Sequence, residues 1–244
     1  MDHPFEGQII AHRGLASLSG EFVENSISSF VYCIEKKIPL EIDVQYHPQV
    51  GYLVFHDESL VRMFGYKAAL SDCSNEFLRL LRYNDGHAII DLKSFLKLIG
   101  GRVPVLLEVK ARKNTNLKTL QRMCNDLKLL MDSYRGDLWV QSFSSPFLSV
   151  CRLLRVNNPI GQLITNWDDV DSLGSTQKLI LKSNILNFIN KVDFLSVNKS
   201  LLNRSMTSLY KNILRKPILT WTIKENHYDF ISRGLANGVI GEGF

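Results

Sequence analysis

The chain has 244 residues, of which 45% are hydrophobic and 22% are charged. These fractions are typical of a globular protein with a sizeable core and argue against intrinsic disorder. No apolar run reaches the roughly 18 residues of a membrane-spanning helix, and the N-terminal residues lack the pattern of a secretory signal.

The formal net charge is +5, and the isoelectric point is about 9.0. Ordinary surface lysines account for this balance, although a basic surface also favours phosphate-bearing or anionic-lipid partners. No basic run alternates with aromatic residues, so nucleic acid is not a predicted partner. The four cysteines (Cys33, Cys73, Cys124 and Cys151) lack C-x-x-C spacing. This argues against a zinc cluster or a disulfide framework and predicts a reducing, cytoplasmic location.

Strand-like apolar runs alternate with helix-like patterns along the chain. Strands are predicted at 9–12, 40–46, 103–110, 138–143, 160–165, 192–198, 217–223 and 238–244, with a short extra run at 53–56. Helices are predicted at 25–37, 91–99, 117–134, 146–156, 173–190, 203–214 and 226–236. Eight such units predict an α/β fold, a closed (β/α)₈ TIM-type barrel, as one domain over 1–244. The segment 58–90 does not fit the alternation and is interpreted as an insertion after the second strand.

Polar residues mark the carboxyl ends of the predicted strands, where such barrels hold their active sites. His12 and Arg13 end the first strand. Because side chains alternate along a strand, Glu41 and Asp43 share one face of the second, and Glu108 shares one face of the third with Lys110. Three carboxylates on neighbouring strands suit a hard cation such as Mg²⁺ or Ca²⁺.

Three further groups extend this candidate site. His56 ends the short extra run and could face His12, so that two imidazoles exchange donor and acceptor roles. Arg13 and Lys110 could hold an anion, and Trp221 could form an apolar wall. Each group also has a purely structural interpretation: a salt bridge at a strand end, a loop hydrogen bond with Asp57, or a core tryptophan. The other histidines, His3, His47, His87 and His227, are interpreted as surface or loop residues.

The ordered motifs HRG, ENS with a following SF, EIDV, VFHDE, LLEVK, VQSF and LTWTI resemble the glycerophosphodiester phosphodiesterase family. The resemblance covers the chain from Ile9 to about Ile223. It implies a (β/α)₈ barrel with a small insertion after the second strand. It also implies metal-dependent hydrolysis of small-molecule glycerophosphodiesters to an alcohol and glycerol 3-phosphate, within lipid and glycerol metabolism.

The resemblance also implies a role for each matching residue. His12 and His56 match the acid/base pair, and a divalent cation is expected on Glu41, Asp43 and Glu108. The residues that match substrate-binding positions are Arg13 and Lys110 near the phosphate, Glu24 and Asn25 at the pocket mouth, and Trp221 on the alcohol side.

Three segments depart from the family pattern. Ser26 replaces the usual threonine after EN, YHPQVGY replaces the T-x-D-G turn before His56, and the chain ends in GEGF where the family has TD-x-P. Two alternative functions stay open: a lysophospholipase D-type lipid phosphodiesterase with peripheral membrane contact, and a non-catalytic phosphodiester-binding barrel. The preferred alcohol, the native cation and the oligomeric state are not predicted.

Overall fold

The computed structural model describes residues 3–16, 22–166, 190–224 and 229–243. Within these ranges nine strands form one sheet, and eight of them run parallel and close into a barrel. The predicted (β/α)₈ architecture is therefore confirmed. The strands are β1 (Ile9–Ala11), β2 (Leu40–His47), β3 (Gly51–Val54), β4 (Val105–Lys110), β5 (Leu138–Ser142), β6 (Ile160–Ile164), β7 (Phe194–Asn198), β8 (Ile218–Ile223) and β9 (Gly238–Gly241).

The helices that follow the strands begin at polar caps. Ser, Asp or Asn side chains accept a backbone N–H at the starts of six helices, which satisfies donors that have no partner inside the helix. The helices are α1 (Ile27–Lys36), α2 (Val61–Phe64), α3 (Asn75–Leu80), α4 (Leu92–Ile99), α5 (Leu117–Ser133), α6 (Ser145–Leu153), α7 (Arg204–Thr207) and α8 (Asp229–Ser232). The predicted helix at 203–214 is α7 followed by a π-helical segment, Ser208–Ile213.

Two predicted helices fall partly or mainly beyond the described ranges. The helix predicted at 173–190 lies outside the described residues except for Asn190, which forms a turn. Of the helix predicted at 226–236, only α8 and the turn after it are described.

A hairpin extends one edge of β2. Its first residue, Leu40, pairs with β1, whereas its last four residues, Val44–His47, pair antiparallel with β3. Because β1 is short, β3 occupies the edge of β2 that β1 leaves open. This arrangement brings His56 and Asp57, which follow β3, towards the carboxyl ends of the parallel strands.

The interpretation of His47 as a surface or loop residue is wrong. His47 is the last residue of β2 and is buried. Its Nε2 lies 3.0 Å from the carbonyl oxygen of Cys73, and its Nδ1 accepts the backbone N–H groups of Gln49 and Val50. The imidazole therefore holds the β2–β3 turn and connects it to Cys73, 26 positions away, a contact that the local sequence does not indicate.

The barrel has two apolar layers, one on each face of its sheet. Outward residues such as Ile42 and Leu107 pack in one cluster with Phe30, Phe95 and Leu127 of the surrounding helices. Inside the barrel, a second cluster consists of Phe5, Ile10, Leu106, Trp139, Phe194, Leu219 and Ile240. A Cβ on Gly161 would lie 2.4 Å from the Phe194 ring, so only glycine fits there. This inner cluster fills the barrel below the polar carboxyl ends of the strands.

The segment 58–90 contains α2 and α3. Its buried leucines and Tyr83 form a third apolar cluster with Leu53 and Phe55. We propose that it is an insertion in a single barrel domain over 1–244. Within the described residues, no helix has both the length and the apolar content needed to cross a membrane.

Candidate active site

Three carboxylates meet at the carboxyl ends of β2 and β4. Glu41 and Asp43 lie on the inward face of β2, and Asp43 is directly opposite Glu108 of β4 in the sheet register. One oxygen from each carboxylate lies within 4.8 Å of the others. Lys110 lies beside them, with its Nζ 3.0 Å from Asp43 Oδ1 and 2.7 Å from Glu108 Oε1.

The electrostatics of this carboxylate cluster show an excess of negative charge. Burial raises the pKa of Glu41, and the neighbouring Asp43 carboxylate raises it further, to about 8. Burial also disfavours ionised Asp43, but Lys110, His56 and Arg13 together hold its pKa well below the ordinary value. The positive groups near Glu41 do not offset its burial and its repulsion by Asp43, so Glu41 takes up a proton near neutral pH. Buried, mutually repelling oxygen donors of this kind fit a hard divalent cation.

Arg13 connects the carboxylate cluster to the loop after β1. Its backbone N–H donates to Glu41 Oε2 at 3.0 Å, its Nη1 donates to both oxygens of Glu24, and its Nε is 3.4 Å from Asp43 Oδ2. Arg13 has a positive φ of 53°, and Gly14 follows at 72°. A Cβ at Gly14 would lie 2.7 Å from Phe30 and from the Ser29 hydroxyl, so this turn requires glycine.

Asn25 links the ENS motif to Asp43. Its Nδ2 donates to Asp43 Oδ2 at 3.0 Å, and its Oδ1 accepts the Asp43 backbone N–H at 3.3 Å. The φ of Asn25 is 54°, a conformation that asparagine tolerates better than most residues. Its backbone N–H donates to the carbonyl of Arg13. Asn25 thus fixes both the carboxylate and the loop that presents Arg13.

The two predicted histidines are each held by a carboxylate. His12 Nδ1 is 2.6 Å from Glu242 Oε1, and His56 Nδ1 is 2.6 Å from Asp57 Oδ1. Burial lowers the pKa of His12, but the hydrogen bond to Glu242 and the charge of Glu41 outweigh it and raise the pKa above its ordinary value. Both imidazoles lie near enough to Asp43 to lower the pKa of that carboxyl.

Two residues of this site are not predicted from the sequence. Glu242 follows β9, the neighbour of β1, in the GEGF segment that departs from the family pattern; a carboxylate at a strand's carboxyl end was its signal. Arg62 belongs to α2. Its guanidinium contacts Asp57 at 2.6 Å and also pairs with Glu24, so it joins the partner of His56 to the partner of Arg13. Nothing in the local sequence indicated this.

Trp221 lies on β8, across the barrel from the carboxylate cluster. Its Nε1 donates to the carbonyl of Ser196 at 3.0 Å, and its ring meets Phe143 edge-on with centroids 5.7 Å apart. The structure therefore brings nine of the ten predicted site residues together around the carboxylate cluster and places the tenth, Trp221, on the opposite wall of the barrel.

The comparison with known families agrees with this geometry. The sequence pattern of the glycerophosphoryl diester phosphodiesterase family matches residues 12–241. The chain belongs to this family. As a glycerophosphoryl diester phosphodiesterase family member, it is an enzyme of the phosphoric diester hydrolase class. No curated protein matches its sequence significantly.

Solved structures share the fold of this family member at low sequence identity. A phosphodiesterase from Oleispira antarctica in complex with the product sn-glycerol-3-phosphate is 18% identical, with a TM-score of 0.76 and coverage of 97% of this chain and 93% of that chain. A glycerophosphodiester phosphodiesterase from Thermotoga maritima is 21% identical, with a TM-score of 0.69 and coverage of 99% and 95%. One from Parabacteroides distasonis is 16% identical, with a TM-score of 0.74 and coverage of 96% and 92%.

Proposed function

We propose that the chain hydrolyses glycerophosphodiesters to an alcohol and glycerol 3-phosphate, with His12 and His56 as acid and base and a divalent cation on Glu41, Asp43 and Glu108. One observation supports this most: two imidazoles, each held through Nδ1 by a carboxylate, lie beside three clustered carboxylates. The product named for the Oleispira antarctica phosphodiesterase supports the choice of substrate class.

The two histidines divide the proton transfers between them. Because each Nδ1 is engaged by a carboxylate, Nε2 is the nitrogen that exchanges a proton with the substrate. One imidazole takes the proton of the attacking hydroxyl, and the other protonates the departing alkoxide. The neighbouring glycerol hydroxyl is the proposed nucleophile; it forms a cyclic phosphodiester, which water then opens to glycerol 3-phosphate.

The remaining residues stabilise charge and orient groups. A bound Mg²⁺ or Ca²⁺ would neutralise phosphoryl oxygens and lower the pKa of a nearby hydroxyl. Arg13 and Lys110 stabilise the negative charge that grows on the phosphoryl oxygens, an effect often worth several kcal/mol. Glu24 and Asn25 hold Arg13 and Asp43 in position, and Trp221 provides the apolar wall across the barrel.

A release assay over a panel of glycerophosphodiesters tests this proposal. We expect turnover with Mg²⁺ or Ca²⁺, its loss in EDTA, and recovery when the ion is restored. His12→Ala and His56→Ala should each lower the rate by roughly 10²–10⁴-fold. His87→Ala is the matched control, because His87 also contacts an aspartate but lies outside this network. Full activity of both His12→Ala and His56→Ala would overturn the assignment.

The same assay separates the two alternative functions. Faster turnover of lysolipid vesicles than of soluble glycerophosphocholine would favour the lysophospholipase D-type activity. Substrate binding without any turnover, with or without a divalent cation, would favour a non-catalytic binding barrel. A location in the cytoplasm stays a prediction that imaging of the tagged full chain can test.

A further inference from the structure

A basic cavity adjoins the carboxylate cluster on the side of β2 and β4. It has a volume of about 240 Å³ and lies between the end of β2, the start of α5 and the segment that follows β3. None of its lining residues, all within the described ranges, is acidic. Three cationic and four hydroxyl-bearing side chains line it: Lys110, Arg112, Arg122, Tyr46, Ser71, Thr115 and Thr119.

The two arginines give this basic cavity its charge. Lys110 is already paired with Asp43 and Glu108, so its charge is largely compensated. Within the described residues, the Arg112 side chain has no ion pair or hydrogen bond. Arg122 donates to the carbonyl of Pro48 at 3.2 Å, and its guanidinium lies 5.8 Å from the Tyr46 ring centroid. These contacts orient Arg122, and within the described residues it forms no ion pair. The Tyr46 hydroxyl beside it donates to the Asp126 carboxylate.

The lining chemistry identifies the kind of ligand. Guanidinium groups bind phosphate through paired, charge-assisted hydrogen bonds. The start of α5 adds a favourable helix dipole, because Thr115 and Thr119 of the cavity flank its N-cap, Asn116. Hydroxyl and amide groups, including Gln45, suit the hydroxyls of a polyol. The cavity therefore fits a phosphorylated polyol better than a quaternary ammonium or an acyl chain.

The basic cavity lies next to the site of the reaction and shares two residues with it. Lys110 and Gln45 belong to both sites, since Lys110 contacts the carboxylate cluster and Gln45 Nε2 donates to the His56 carbonyl at 3.1 Å. The glycerol half of the substrate has no anionic group other than the phosphodiester itself. The guanidinium groups of Arg112 and Arg122, beside the reaction site, therefore match the alcohol half. In that arrangement Trp221, on the opposite wall, faces the glycerol half instead of the alcohol side that the family resemblance implies.

We propose that the basic cavity binds an anionic group on the leaving alcohol, so that the preferred substrates are glycerophosphodiesters of a phosphorylated polyol. This inference rests on the proposed function, which it makes more specific.

Two substrates that differ by one phosphate test the inference: glycerophosphoinositol 4-phosphate and glycerophosphoinositol. We expect kcat/KM to be at least about tenfold higher for the phosphorylated diester, as for a charge-assisted contact. Arg112→Met should remove this preference and change turnover of the unphosphorylated diester by less than about twofold. Arg122→Met should also remove the preference for the phosphorylated diester, and Arg122→Lys should restore part of it. Arg135→Met, beyond the far end of α5, is the control.

Calorimetric binding of both diesters in EDTA separates this inference from the proposed function. Tighter binding of the phosphorylated diester, lost in Arg112→Met, supports the cavity even if no turnover is found. Equal kcat/KM or equal affinity for the two diesters in a folded, active enzyme overturns it. Binding of inorganic phosphate that Arg112→Met abolishes, without discrimination between the diesters, also overturns the assignment to the leaving alcohol.

Discussion

At the scale of single residues, the contact between His12 and Glu242 shows how the barrel prepares an imidazole for proton transfer. Glu242 engages Nδ1 at 2.6 Å, which fixes the tautomer and ring orientation and stabilises the protonated form. Asp57 likewise fixes the tautomer and ring orientation of His56. The two histidines therefore present the same ring nitrogen to a substrate while their carboxylate partners come from different strand ends.

Glu242→Gln should lower kcat by roughly tenfold to a thousandfold, no more than the loss of His12 itself. Because the carboxylate raises the pKa of His12, its removal should shift the limb of the pH–rate profile that reports His12 to lower pH. Glu6→Gln is a matched control, since Glu6 contacts His3 at 2.9 Å and precedes β1 at the opposite end of the barrel. An unchanged profile in Glu242→Gln would contradict the positioning role.

Residues of this site differ in how well sequence predicts them. The inward positions of Glu41, Asp43 and Glu108 follow from the two-residue period of a strand. The partner of His12 does not, because Glu242 is 230 positions away and the two meet only when β9 closes against β1. Local pattern therefore predicts which way a side chain points, but not which distant residue it meets.

At the scale of elements, α2 contributes to the site through Arg62. Arg62→Met should lower kcat/KM by about tenfold, because Asp57 and Glu24 would lose the cation that holds them beside His56 and Arg13. The free energy of unfolding should change by less than about 1 kcal/mol, since the Arg62 side chain is 47% exposed. Arg79→Met on α3 is the control. Equal effects of both variants on kcat/KM would refute a specific role of Arg62.

The turn after β1 is a second element with a measurable requirement. Gly14→Ala should destabilise the fold by roughly 1–3 kcal/mol, because its Cβ would overlap Phe30 and Ser29 in addition to the strain of a positive φ. Gly7→Ala is the matched control, with a φ of 69° and no atom within 4 Å of its Cβ. Chemical denaturation measures both. Equal destabilisation would mean that backbone strain alone requires glycine.

The boundaries of a helix or strand can be predicted where one hydrophobic periodicity dominates the sequence. They are harder to predict where pairing with another strand sets the boundary. Strand β5, which follows α5, is predicted at 138–143 and is found at Leu138–Ser142. All of its residues are buried, as expected for a strand of a parallel sheet that is covered on both faces. The extension of β2 to His47 was not predicted, since it depends on hairpin pairing with β3. Similarly, α2 is only four residues long, too short for a helical period to show.

At the scale of the whole molecule, closure of the barrel brings negatively charged side chains together at the carboxyl ends of its strands. Parallel strands align their carboxyl ends, so carboxylates from β2 and β4 become neighbours whatever their mutual repulsion. Lys110 and Arg13 compensate Asp43, but Glu41 is left with a pKa of about 8. The cost of burying these groups without a cation is therefore expected to appear in the stability of the entire protein.

Without a divalent cation, stability should fall as pH rises above the ordinary Glu41 value of 4.5. In that window the unfolded chain releases the Glu41 proton, whereas the folded protein keeps it until pH about 8. The raised pKa of His12 acts in the same direction. The lowered pKa of Asp43 acts in the opposite direction, but only below its ordinary value of 3.8. In EDTA, Tm should therefore be about 4 °C or more lower at pH 8.5 than at pH 6.

Mg²⁺ or Ca²⁺ should reverse this loss, because the ion binds the ionised carboxylates of the folded protein. The increase in Tm should be larger at pH 8.5 than at pH 5.5, where Glu41 holds its proton. Glu41→Gln should flatten the pH dependence in EDTA and abolish most of the increase with ion, whereas Glu35→Gln, on α1, should leave both unchanged. An undiminished increase in Glu41→Gln would mean that the ion binds elsewhere, and the proposed ligand set would then be wrong.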